Sequence, residues 1–269
     1  MARQEAPDPT ADAHPSDRQF VTALARGLDI LRCFETPGAE LSVSELARRV
    51  GVTQPTAWRL CHTLLARGYL VRAPNSANLR VGAPVLALGY AAIRGMRFPP
   101  IALPYMRQIT ELTKATTTLS QLQGLEMISV EYCLGEFVLP NQTVGWRRPV
   151  TAVPSGLAVL AALPDAKRQE LLHGLARADT KAWPRRAARV ERARQEYARD
   201  GFVIVDTMID SQYAAVAVPL IALEDDAMTA WAMSAGGLAT RWDQANLHRA
   251  GWELLRVAAL LRPALPQGT

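Results

Sequence analysis

Residues 41–72 read LSVSELARRVGVTQPTAWRLCHTLLARGYLVR. Ser42 and Glu45 make the S-x-x-E pattern of a capping box: the serine hydroxyl accepts from an early helical amide, and the glutamate reaches back to the serine amide. Leu41 and Leu46 flank the box where a hydrophobic staple closes over it. The pattern predicts a short helix, SVSELARRV, that starts at Ser42 and stops at Gly51. Thr53 can cap a second helix, and Pro55 fits its first turn, where a missing amide costs nothing; Gly68 ends it after Arg67. Ala57, Leu60, Cys61, Leu64 and Leu65 recur at three- and four-residue spacing and share an apolar face. The opposite face carries Gln54, Pro55, Trp58, Arg59 and His62.

Upstream, Leu24, Leu28, Leu31 and Phe34 recur at helical spacing over residues 22–34, which predicts an amphipathic helix ending near Pro37-Gly38. Downstream, YLVR at 69–72 and LRVG at 79–82 read as two short strands around the turn-forming Ala73-Pro74-Asn75-Ser76, with a tip at 75–78. Helix, helix, turn, helix and hairpin make a winged helix-turn-helix. A further helix is expected from Pro84 to Arg94, with Arg97-Phe98-Pro99-Pro100 as the junction to a second domain. Residues 1–18, rich in Pro, Asp and Ala, are expected to form a disordered tail.

The chain has 269 residues, room for about two domains at roughly 150 residues each. Its 49% hydrophobic and 20% charged composition suits a globular chain with a real core. No apolar run reaches the roughly 18 residues of a membrane span, and the first residues lack the apolar stretch of a secretory signal, so the expected location is the cytoplasm and no membrane partner is expected. The 3 cysteines have no ligand spacing, which argues against a disulfide framework and a metal site. The net charge of +5 permits nucleic-acid binding without demanding it, but its distribution is informative. From Leu46 to Thr110 there is no Asp or Glu, while Arg48, Arg49, Arg59, Arg67, Arg72, Arg80, Arg94, Arg97 and Arg107 all fall there. A one-signed stretch of this kind is the footprint of a phosphate-binding surface.

Reading base edges in the major groove needs exposed polar side chains on the first half of a helix whose other face is buried. Gln54, Thr56 and Arg59 fit, with Pro55 placed to touch a thymine methyl. Arg48, Arg49, Arg72 and Arg80 are assigned to phosphates. Trp58 packs either on backbone sugars or on a neighbouring helix. The expected partner is double-stranded operator DNA, read by a homodimer or homotetramer, with the helix containing Leu86, Leu88 and Tyr90 holding the DNA-binding domains together.

Beyond the junction the pattern is mixed. A helix is expected over 103–114, strands over 116–123 and 127–133, and a less regular stretch over 138–151. Helices follow over 154–163, 165–176 and 185–199, strands over 202–205, 214–220 and 228–234, and a last helix over 243–261. The grouping predicts an α+β domain with an antiparallel sheet.

The stretch 41–72, followed by LRVGAPVLALG, resembles the DNA-binding domain of the IclR family of bacterial transcriptional regulators. In the second half RRPVTAVPSGLAVLAALP, GFVIVD, AAVAVPL and AWAMSAGG are similar to that family's effector-binding domain. The resemblance implies a ligand-responsive regulator, a repressor of a catabolic operon, with a GAF/profilin-like effector domain sensing a small organic acid. Its implied organisation is the tail, a winged helix over 19–82, a linker helix over 83–98 and an effector-binding and oligomerisation domain over 99–269.

On that resemblance, Pro154, Ser155 and Gly156 open a helix whose first amides can receive a carboxylate. Read alone, they form an ordinary helix start with small residues for tight packing. Asp206, Tyr213, Ala215, Ser234, Gly236 and Trp146 are the further effector candidates, although Tyr213 and Trp146 also fit plain packing. The sequence departs from the family at several of these places: Leu157 stands for a lysine, Ala215 for a cysteine, Val205 for an aspartate and Gly236 for one of two serines. A pocket stripped of these groups favours an aromatic carboxylate over a compact keto acid.

A catalytic reading of Ser155, His173 and Asp206 lacks the nucleophile elbow and is rejected, so no catalytic residue and no cofactor is expected. The alternative is a metabolite-binding protein or enzyme that uses its winged helix only for self-association. Arg185, Arg186, Arg189, Arg192, Arg194 and Arg199 are read as circling a solvated helix with Glu191 and Glu196 among them.

Overall fold

The computed structural model describes residues 19–36, 38–136, 143–208, 212–224 and 227–266. The expected tail over 1–18, Pro37 at the expected helix stop and the start of the irregular stretch at 138–142 lie outside the described residues. Two units divide between Arg94 and Gly95.

The first unit begins with α1 (Thr22–Arg32), α2 (Val43–Val50) and α3 (Gln54–Ala66). Both halves of the capping box are present: Glu45 N donates to Ser42 Oγ at 3.2 Å, and Ser42 N donates to Glu45 Oε2 at 3.1 Å. Gly51 ends α2 at φ 68°, a left-handed conformation that costs glycine nothing and turns the chain toward α3. Thr53 makes no cap bond to the backbone; its hydroxyl meets that of Thr56 at 2.9 Å instead.

Strands β1 (Leu70–Arg72) and β2 (Leu79–Val81) form the wing. Leu41 exchanges both backbone bonds with Leu79, at 3.0 and 2.8 Å, and so ties the entry of α2 to the wing. Ile30, Leu41, Leu46, Cys61, Leu70 and Leu79 are the core. Leu24 and Leu28, expected on the buried face of α1, are 64% and 51% exposed, because the core is reached from the face carrying Ile30. Helix α4 (Pro84–Gly95) buries none of its residues, and Leu86, Leu88, Tyr90 and Ile93 are all exposed.

The second unit opens with α5 (Phe98–Thr113). The stretch expected as a junction is therefore helical: Arg97 is the N-cap, and Pro99 and Pro100 fall in the first turn, where amides have no partner to lose. The remaining elements are β3 (Thr116–Gln123), β4 (Glu126–Cys133), β5 (Arg147–Pro149), α6 (Pro154–Ala162), α7 (Asp165–Ala178), α8 (Trp183–Asp200), β6 (Val203–Met208), β7 (Tyr213–Glu224), β8 (Ala227–Leu238) and α9 (Gln244–Leu261). Strand β5 lies inside the stretch read as irregular.

The strands form one antiparallel sheet in the order β5-β4-β3-β8-β7-β6. Strand alternation sends Leu119, Val216, Val218, Met233 and Ala235 to a face packed by α5 and α9. Met127, Val203, Val205, Ala217 and Ala232 go to the other, packed by α6 and α8. Between Leu119 and Ser120 the β3–β4 register shifts: Leu119 opposes Glu131 whereas Ser120 opposes Ser129, so Val130 is the extra residue of a bulge.

On α8, Arg186, Arg194 and Arg199 are matched by Asp179, Glu191 and Asp200. At 3.6 residues per turn Arg185, Arg189, Arg192 and Arg199 share one side of α8, while Arg186 and Arg194 leave it elsewhere.

Candidate functional site

In the first unit α3 presents a bare polar face. Gln54, Pro55, Thr56, Trp58, Arg59 and His62 are exposed, while Ala57 and Cys61 anchor the opposite face in the core. Trp58 stands 43% exposed, its ring 6.2 Å from that of His62 on the next turn. Arg48 and Arg49 are exposed on α2, and Arg49 Nη1 also donates to Cys33 O at 3.2 Å, bracing the end of α1. The wing arginines separate. Arg80 pairs with Val71 and leaves one face of the ribbon, whereas Arg72 pairs with Leu79 and leaves the other. The acid-free stretch thus folds into a helix and wing whose exposed charges are all positive.

In the second unit a hollow of about 490 Å³, its open mouth included, lies on the α6 side of the sheet. Its floor is made by every second residue of β3, Thr116, Thr118 and Ser120, joined by Ser129 on β4 and Ser234 on β8. Val153, Pro154 and Ser155, at the start of α6, form one wall. Tyr213, Ala215 and Gly236 form a second, and Trp146 with Arg148 a third. Trp146 is fixed by its backbone, whose carbonyl accepts from Ser129 N at 2.9 Å.

Seven of the effector candidates therefore line one hollow: Trp146, Pro154, Ser155, Tyr213, Ala215, Ser234 and Gly236. Two do not. A Cβ on Gly156 would stand 2.0 Å from the Val150 carbonyl oxygen, so this glycine lets α6 press against the preceding turn. Asp206 lies instead in a separate polar cleft with Glu196, Arg199, Asp200, Gln244 and His248, and Gln244 Nε2 donates to it at 3.2 Å. Ser155, the exposed His173 and Asp206 are accordingly not brought together as a catalytic set.

Of the four departures Ala215 and Gly236 line the hollow while Leu157 and Val205 lie in the core beside α6, and the β3 hydroxyls add polar groups that the sequence reading did not count. The TTTLSQ pattern carried the signal: residues two apart share a face, so 116, 118 and 120 had to point one way. Gly236 also reads differently. A Cβ there would lie 2.8 Å from Tyr213 Cε1 and 2.9 Å from its Oη, so the missing serine makes room for a phenol. Burial pushes the ionisation of Tyr213 well above its ordinary range, keeping the hydroxyl a donor. Burial likewise raises the three thiols, that of Cys61 to about 11, which leaves them unreactive.

An exposed polar helix face in a winged unit and a polar-lined hollow in an α+β unit are features of a DNA-binding regulator. The IclR helix-turn-helix domain family matches residues 23–74. The HTH-type transcriptional regulator TsaQ1/TsaQ2 of Comamonas testosteroni is 32% identical over 206 residues, covering 75% of this chain and 73% of that protein. An IclR family transcriptional regulator from Brucella abortus has a TM-score of 0.82 at 29% identity, covering 93% of this chain and 95% of that one. An IclR homolog from Microbacterium hydrocarbonoxydans, solved with 4-hydroxybenzoate, shares the fold at a TM-score of 0.65 and 24% identity, covering 90% of this chain and 98% of that one. The chain belongs to the IclR family of transcriptional regulators. Its relatives are regulators, and the enzyme alternative falls away.

Proposed function

We propose that this regulator represses a catabolic operon as a homodimer and is released or retained by an aromatic carboxylate bound in the hollow of its second unit. The observation that carries the reading is the composition of that hollow. Trp146 and Tyr213 offer ring faces, while Ser155, Ser234 and the β3 hydroxyls offer bonds to oxygen atoms at its edges. The 4-hydroxybenzoate bound to the Microbacterium hydrocarbonoxydans protein, which has the same fold, is a molecule of this chemistry. Effector binding shifts the population between arrangements that do and do not hold DNA.

Gln54, Thr56 and Arg59 are assigned to base edges, and Arg48, Arg49 and the wing arginines to phosphates. Dimerisation is assigned to α4, with Leu86, Leu88 and Tyr90 exposed, because a single reading helix contacts too few bases for useful specificity. Leu24 and Leu28 on α1 add to the uncovered apolar surface of the same unit, and a second copy of the chain is the occupant a two-fold operator requires.

The test is a mobility shift on DNA flanking the gene, with sedimentation on the same protein. A dimer specifically retarded, and a retardation changed by benzoate-type acids but not by pyruvate at equal concentration, is the expected result. A monomer binding one half-site tightly would overturn the dimer, and pyruvate acting as strongly as the aromatic acids would overturn the effector class.

A further inference from the structure

Arg148 was not singled out by its sequence, and the geometry gives it a defined place. It is the sole charged side chain among the described residues that line the hollow. Neighbouring Arg147 leaves the opposite face of β5 and is matched there by Glu126. Arg148 opposes Met127 in the β4–β5 ladder and so shares the face of the hollow, and among the described residues no carboxylate lies within ion-pair distance of it. Its guanidinium carbon sits 5.5 Å from the centroid of the Trp146 ring, which holds the planar group against the wall. A half-buried cation in a lining without an acid is a poor arrangement for an empty site and a good one for an anion.

We propose that Arg148 is the residue that makes this pocket select an anion: its guanidinium, steadied by Trp146, pairs with the effector's carboxylate, and the β3 hydroxyls and Ser155 bond what remains. This rests on the reading of the hollow as the effector site. It differs in assigning the acid group to β5 instead of the first amides of α6. A guanidinium fork matches two carboxylate oxygens in a plane, so lysine is only a partial substitute.

The experiment is calorimetric titration of the wild type, R148Q and R148K with two matched pairs, benzoate with benzamide and 4-hydroxybenzoate with 4-hydroxybenzamide. Thermal unfolding of each variant confirms that it is folded. The wild type should favour each acid over its amide by about ten- to hundredfold, the usual worth of hydrogen bonds to a charged group. In R148Q that preference should vanish while amide binding is kept, and R148K should restore part of it. If R148Q keeps the wild-type preference, the carboxylate is held elsewhere and this inference fails while the effector reading stands. If neither acid binds the wild type, both fail together.

Discussion

Changing Gly236 to serine would place a Cβ 2.7 Å from Ala215 Cβ, 2.8 Å from Tyr213 Cε1 and 2.9 Å from Tyr213 Oη. Directly opposed Cβ atoms in an antiparallel pair normally stand about 4.5–5.5 Å apart, so β7 and β8 must part locally and the Tyr213 ring must leave its wall. Overpacking of this kind costs about 1–3 kcal/mol. The expected result for G236S is a loss of that size in chemical unfolding, with weaker binding of benzoate-type acids because one ring face has gone. A spectroscopic sign should accompany it. Tyr213 is kept protonated by burial, so alkaline difference titration against Y213F should show one more phenol ionising at its ordinary pH in G236S than in the wild type. In a double-mutant cycle Y213A should cost less in the G236S background than in the wild type, since two of the three close contacts disappear with the ring. A G236S protein within about 0.5 kcal/mol of wild type, with Tyr213 still silent, would refute the reasoning, because surface-like tolerance is incompatible with these distances.

Three other outcomes are expected. R59A should lose discrimination among operator variants, whereas R80A should weaken binding to all sequences and flatten its salt dependence, as read by mobility shift across salt; equal losses of specificity in both would reverse the assignment. S42A should cost about 0.5–2 kcal/mol at neutral pH. Hydrogen bonds from Ser42, the backbone one first, hold the Glu45 carboxyl below its ordinary value, so its contribution is present above the unfolded value and lost as pH falls through the folded one. The melting difference between wild type and E45A should therefore narrow in acid, and a pH-independent difference would contradict the capping box. G156A should destabilise the second unit more than any surface alanine, because its Cβ would meet backbone that no rotamer can move, and a neutral result in thermal unfolding would sink that account.

The winged unit was legible because its signals are local. A capping box, a staple and an αL glycine each specify structure within a few residues, and Ser42, Glu45 and Gly51 do what their spacing says. The exposed face of α3 followed from periodicity alone, although Leu24 and Leu28 show that a periodic apolar face need not be covered by its own chain. The pocket was less legible because it is assembled across β3, β4, β5, β7, β8 and α6, whose registers are long-range facts. Trp146 and Tyr213 were found by residue type. Thr116, Thr118, Ser120 and Arg148 were missed because which face of the sheet each parity occupies depends on strands far away in sequence. Gly156 has a packing role that its place beside a proline does not announce: only the position of Val150 shows that no Cβ fits there.

The bulge at Val130 has a consequence for how this protein can change over generations. Before it, Met127 and Ser129 face the hollow; after it, Glu131 and Cys133 oppose Leu119 and Thr117 on the α5 side. The count of residues in β4, more than their identity, therefore decides which of them line the hollow. Loss of one residue there would invert the inside and outside of everything up to the next turn, whereas exchanges at Met127 or Ser129 would retune the site and leave the sheet intact. Drift in ligand preference along this strand should thus proceed by substitution, with insertions and deletions confined to the loops at its ends.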